Sequence, residues 1–148
     1  MHMNVKLADC EMCTGCGACA NICPKNAIQM RMDDEGFLQP YINKELCIDC
    51  KKCENTCPVL HPQYVNHSVE DCYAVWTEDS LRMKSSTAGV FALAAQAVLN
   101  EDGGGVYGAA WTNDWTVHHI GITTEADLYK LQGSKYLQSD TEYTYQEV

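Results

Sequence analysis

The sequence predicts an α+β chain in two parts, a small cysteine-rich module followed by an incomplete α/β domain. Three observations lead there. Eight of the ten cysteines fall into two runs of one spacing, Cys13, Cys16, Cys19 and Cys23, then Cys47, Cys50, Cys53 and Cys57, 34 positions later. The stretch HPQYVNHSVED at 61–71 is polar and contains Pro62, as a boundary would. Beyond it, apolar patterns of strand and helix length alternate, the arrangement of an α/β domain. The expected boundaries are 1–61 for the module, 62–71 for a linker and 72–148 for the second domain.

Composition excludes several functions. The 148 residues carry a formal net charge of -10, with Lys plus Arg against Asp plus Glu at 6 against 8 over residues 1–62 and 4 against 12 over 63–148. No basic patch suits nucleic acid or an anionic membrane surface. Apolar runs fall short of a membrane span, and the start MHMNVKLADCEMC lacks the apolar stretch and cleavage site of an export signal. The expectation is a soluble cytoplasmic protein, where clustered thiols ligate metal rather than pair as disulfides.

Each cysteine run reads C-x2-C-x2-C-x3-C-P. A cubane [4Fe–4S] cluster needs four thiolates arranged tetrahedrally, and one tight loop offers three of them. In two-cluster proteins with this spacing the fourth cysteine of each run ligates the other cluster. Cys13, Cys16, Cys19 and Cys57 then hold one cluster, and Cys47, Cys50, Cys53 and Cys23 the other. Gly15 and Gly17 let the first loop curl with N–H groups toward sulfur, and Pro24 and Pro58 stiffen the loop exits. The second loop has Ile48, Asp49, Lys51 and Lys52 at the corresponding places and must curl without glycine. Structural zinc needs only paired C-x2-C elements and leaves the third cysteine and the proline of each run unexplained. Cys10 is a spare thiol in this register, with an alternative cluster ligand as the second reading, and Cys72 within CYAVW reads as a small buried hydrophobe. Lys25, Lys51 and Lys52 flank the second quartet and Glu11 precedes the first, so the second cluster is expected to have the higher potential.

Between the runs, Ala27–Met32 and Phe37–Ile42 read as strands around the Asp33-Asp34-Glu35-Gly36 turn, completing a ferredoxin-like two-cluster module. In the second part, Cys72–Thr77 reads as a strand and Asp79–Lys84 as a short helix. SSTAG at 85–89 opens the helix VFALAAQAVLN, and a hydroxyl-rich helix start is either a cap or an anion cradle. VYGAAW and WTVHHIGI read as strands around Thr112-Asn113-Asp114, with His118 and His119 on opposite faces. Thr124 is placed to cap a helix running through Leu131.

Taken together, the two cysteine runs, DDEGFLQPYINKELCIDC between them, LRMKSSTAGVFALAAQAVL, GGGVYGAAW and LYKLQGSKYLQSD resemble the beta subunits of coenzyme F420 hydrogenases and dehydrogenases and their bacterial relatives. The resemblance implies iron–sulfur electron transfer serving a flavin-dependent oxidoreductase, with FAD as cofactor and a deazaflavin or flavin as acceptor. It makes Ser85, Ser86, Thr87, Gly89, Gly133, Ser134 and Lys135 candidates for the flavin pocket, with no catalytic residue assigned. It also implies that this chain is the N-terminal part of a longer protein, continuing past TEYTYQEV. The different-class alternative is a non-enzymatic electron carrier or adaptor that docks on a separate catalytic subunit. Cluster-based redox sensing lacks any accompanying DNA-binding motif.

Overall fold

The computed structural model describes residues 4–63 and 71–148, so most of the expected linker lies outside the described residues. The chain divides into two compact units, Met1–Asn66 with Asp140–Val148, and His67–Ser139. Residues 140–148, which the sequence reading assigns to the second part, thus belong with the first.

In the first unit, the run after Gly17 turns directly into a short helix, α1 (Ala18–Asn21), and the second run does the same at α2 (Lys52–Asn55). Between them β1 (Ile28–Met32) pairs antiparallel with β2 (Leu38–Ile42) in the register Ile28↔Ile42 and Met32↔Leu38. The turn is organised by Asp33, whose Oδ1 accepts from the N–H of Glu35 at 3.0 Å and of Phe37 at 2.9 Å. Gly36 supplies the positive φ of 86° that this turn needs. Those N–H donors, Phe37 first, hold the Asp33 carboxyl below its usual value. The core is small: Ala20, Ile28 and Cys53 are buried, with Val5, Leu7, Met30, Ile42, Cys19 and Cys23 packed around them. Sulfur therefore does part of the work that aliphatic side chains do elsewhere.

The second unit contains α3 (Asp79–Arg82), α4 (Val90–Leu99), the antiparallel pair β3 (Val106–Trp111) and β4 (Val117–Ile122), a 3-10 turn at Glu125–Asp127 and α5 (Leu128–Leu131). Ala92 and Ala95 of α4, Ala110 and Ile122 of the hairpin, and Leu128 and Leu131 of α5 form its buried core. Leu131 of α5 packs over Gly108 of β3, its methyls 3.5 Å from where a Cβ would stand, an ordinary packing distance. Among the described residues the pairing in this unit is antiparallel.

Several expectations are corrected here. Residues 72–77 form no strand; apart from the Thr77 N–H, which bonds the Ala88 carbonyl at 2.9 Å, the segment has no ladder partner among the described residues. Cys72 is accordingly exposed rather than buried. The strand expected from Trp115 begins at Val117, because Trp115 sits in the turn with φ 64°. Thr124 does not cap a backbone N–H; its hydroxyl bonds the Asp127 carboxylate at 3.0 Å and the next residues make a 3-10 turn. The SSTAG hydroxyls do not cap α4 either, since Gly89, with φ 77°, takes the cap position. A last helical turn, α6 (Thr144–Glu147), completes the first unit.

Candidate metal centres and a second cleft

Two small cavities in the first unit are walled by cysteine. One is lined by Cys13, Cys16, Cys19 and Cys57, with Leu7 and Pro40 among its apolar neighbours. The other is lined by Cys47, Cys50, Cys53 and Cys23, with Val5 and Ile48. Three cysteines of one run thus meet the last cysteine of the other run, twice. The short helices α1 and α2 bring this about: each begins beside the third cysteine of its run and carries the fourth away toward the opposite loop.

The loops curl as the sequence requires. Gly15 and Gly17 have φ of 65° and 73°, and the corresponding Asp49 and Lys51 have φ of 55° and 59°. Backbone N–H groups reach sulfur in both quartets, Gly15 to Cys13 Sγ at 3.4 Å and Ala27 to Cys23 Sγ at 3.3 Å. The N-terminal segment is tied across the second loop by two carboxylates. Asp49 accepts from the Asn4 N–H at 3.2 Å and Glu54 from the Lys6 N–H at 3.4 Å.

Burial, and then the charge of Cys16, push the Cys19 thiol up to about 12, with Cys13 and Cys53 adding to the effect. Burial raises Cys53 too, followed by Cys23 and Cys47. Crowded buried thiols resist ionisation by themselves, whereas bound metal cations take them as thiolates. Among the described residues no three His, Cys, Asp or Glu groups converge on a position for a single ion. Four thiols around a void, with N–H groups directed at sulfur, suit a cluster whose irons stand at separate corners. Cys10 lines neither cavity and is exposed.

In the second unit a separate cleft gathers all seven residues of the expected flavin pocket: Ser85, Ser86, Thr87, Gly89, Gly133, Ser134 and Lys135. Its empty space, including the part open to solvent, is about 1440 Å³. The two sequence stretches are joined by Ser86, whose Oγ accepts from the Ser134 N–H at 2.6 Å. Lys135 donates to the carbonyls of Gln132 at 2.9 Å and Lys130 at 3.2 Å, and burial lowers its pKa. Sequence reasoning missed the aromatic part of the wall, Tyr73, Trp76 and Phe91. The signal was CYAVW, whose large side chains remain exposed because the segment pairs with no strand among the described residues. An apolar wall with a few convergent polar groups is the common make-up of a small-molecule site.

Comparison with known proteins bears on the first unit. Residues 12–60 match the family model of the 4Fe-4S dicluster domain. Over 25 residues the chain is 60% identical to the pyruvate synthase subunit PorD of Thermotoga maritima, a match covering 17% of this chain and 25% of that protein. The chain spans about a quarter of the length of that curated relative in the match. The cysteine-rich part is therefore an iron–sulfur, ferredoxin-like electron-transfer module of the kind that holds 4Fe–4S clusters. No helix among the described residues is long and apolar enough to cross a membrane.

Proposed function

We propose that this chain relays electrons through two [4Fe–4S] clusters in the service of a flavin-dependent oxidoreductase of the F420 hydrogenase and dehydrogenase beta-subunit type, in the cytoplasm. Cys13, Cys16, Cys19 and Cys57 hold one cluster, and Cys47, Cys50, Cys53 and Cys23 the other. The observation that carries this reading is the crossed make-up of the two cysteine cavities. When bound, such clusters supply one-electron capacity at two positions. The chain's own residues fix where that capacity sits: the αL positions bend the loops, the N–H groups polarise sulfur, and Ile28, Val5 and Leu7 keep the ligands packed.

The cleft of residues 72–148 supports the flavin half of the proposal. Ser85, Ser86, Thr87 and Gly89 lie at the start of α4, where N–H groups and the helix dipole favour a phosphate. Gly133 and Ser134 bring backbone close, and Lys135 offers positive charge toward a phosphate or a reduced flavin. In this reading 1–61, joined by residues 140–148, is the iron–sulfur domain, 62–71 the linker and 72–139 part of the flavin domain. The PorD match favours a second reading, an adaptor that carries electrons to a catalytic subunit on another polypeptide.

Anaerobic reconstitution followed by titration with FAD and FMN separates the two. The first reading expects about eight irons per chain and saturable one-to-one flavin binding that weakens in Lys135→Ala. Eight irons without flavin binding leave the relay and move the flavin site to another chain.

A further inference from the structure

The two cysteine loops share a pattern but are crossed differently: the N-terminal segment ties down Asp49 and Glu54 of the second, while the C-terminal residues bind the first at Cys16 and Asn21. Residues 140–148 lie across the first as a strap held by three hydrogen bonds that bridge over a hundred positions of sequence. Thr141 Oγ1 donates to the Cys16 carbonyl at 2.9 Å, and Asn21 Nδ2 to the Glu142 carbonyl at 2.6 Å. Gln146 Nε2 donates to the Asn21 carbonyl at 2.8 Å, and Asn21 Nδ2 also holds the Gly17 carbonyl at 3.0 Å. Thr144 braces the strap internally, its Oγ1 donating to the Thr141 carbonyl at 2.7 Å. Thr141, Thr144 and Asn21 are all buried. A Cβ on Gly17 would collide with Thr141 Oγ1, so the loop is shaped for this close approach.

Among the described residues, the positions of the second loop that match Cys16, Gly17 and Asn21, 34 residues on, carry no such strap. Asn55 is exposed where Asn21 is buried, Lys51 is exposed where Gly17 is buried, and Cys50 is exposed where Cys16 is only half so. Solvent access is one of the quantities that set the potential of an iron–sulfur centre, because water stabilises the more negative reduced state.

Resting on the cluster reading above, we infer that the 140–148 strap is an insulating and positioning element for the first cluster, lowering its potential by excluding water. The second cluster, which lacks this strap and has Cys50 at the surface, is then the port for exchange with an outside redox partner. Thr141 and Gln146 act through the loop backbone and touch no sulfur in this account.

The test uses the full chain, reconstituted without oxygen, with EPR-monitored redox titration and deuteron couplings measured in D2O. Cys50→Ser, which alters the second centre, assigns the signals. Opening the strap with Thr141→Gly/Gln146→Ala should raise the potential of the first cluster and strengthen its solvent-deuteron coupling, leaving the second unmoved. Thr141→Ser, which keeps the hydroxyl and the fold, should retain the parent values, and Asn55→Ala should move neither cluster. Unchanged potentials and couplings in the opened variant, whatever its melting temperature, would overturn the inference and leave the strap a purely structural brace. Fewer than eight irons in the parent protein would instead refute the two-cluster reading, and the strap's role with it.

Discussion

At matching places the first cysteine loop has Gly15 and Gly17, with φ of 65° and 73°, and the second has Asp49 and Lys51, with φ of 55° and 59°. The backbone path is the same, so the path is what the ring of thiols demands, and glycine is one way to supply it. An L-residue in this region costs about 1–2 kcal/mol. In the second loop the cost at Asp49 is offset locally, its carboxylate tying down the Asn4 N–H. In the first loop glycine is needed for another reason as well, since the strap leaves no room for a Cβ at residue 17. Loops with and without the strap thus use different residues to make one shape.

The largest effect should come from removing iron. Chelation ought to loosen the first unit as a whole, because its core is Ala20, Ile28 and Cys53 with thiols packed around them, while the second unit keeps its own aliphatic core. Hydrogen exchange should show lost protection along β1 and β2 and in the second loop, with the strapped first loop protected longest. Equal loss in both loops would remove the strap from the account.

Next in size is the glycine exchange. Gly17→Ala should destabilise the first unit by more than about 2 kcal/mol, combining the left-handed penalty with the collision at Thr141. Lys51→Gly should stabilise the second loop, by less than about 1 kcal/mol because glycine also gains unfolded-state entropy. Thermal melts of the reconstituted protein check both signs.

Charge comes third. Lys25, Lys51 and Lys52 line the cavity of the second quartet, but all three are exposed, so screening keeps their influence small. Lys51→Glu/Lys52→Glu should lower the second cluster's midpoint potential slightly and leave the first in place. Identical potentials before and after would remove the lysines as tuning groups.

The smallest effect should touch neither loop. Asp33 has its folded pKa depressed by N–H donors, so its contribution is present above the usual 3.8 and fades as pH falls through the lower folded value. Asp33→Asn should therefore flatten the acid limb of stability against pH only below about 4, with the cluster spectra unchanged.

Features carried by local pattern were legible in the sequence. The cysteine spacing, the Asp33–Gly36 turn and the helix of VFALAAQAVLN each state their structure within a few residues, and β1, β2 and α4 lie within a residue of the expected limits. Ser86 and Ser134, joined in one cleft, came from likeness to a family rather than from local pattern. Long-range pairing was not legible. Nothing in TEYTYQEV says that Thr141 will seek the Cys16 carbonyl 125 positions away. Cys72 and its neighbours look like a strand by composition, but a strand needs a partner, and none is supplied among the described residues. Trp115 failed for the opposite reason, since a local turn took a residue that suits a sheet.

The central claim is that each cluster draws its fourth thiolate from the other run, and single removal of that thiolate tests it most directly. In Cys57→Ala, reconstituted anaerobically, iron should fall from about eight to about four per chain. The surviving EPR signal should be the one that Cys50→Ser perturbs. Survival of the other cluster, the one insensitive to Cys50→Ser, would mean that Cys57 serves its own run and would contradict the crossed arrangement.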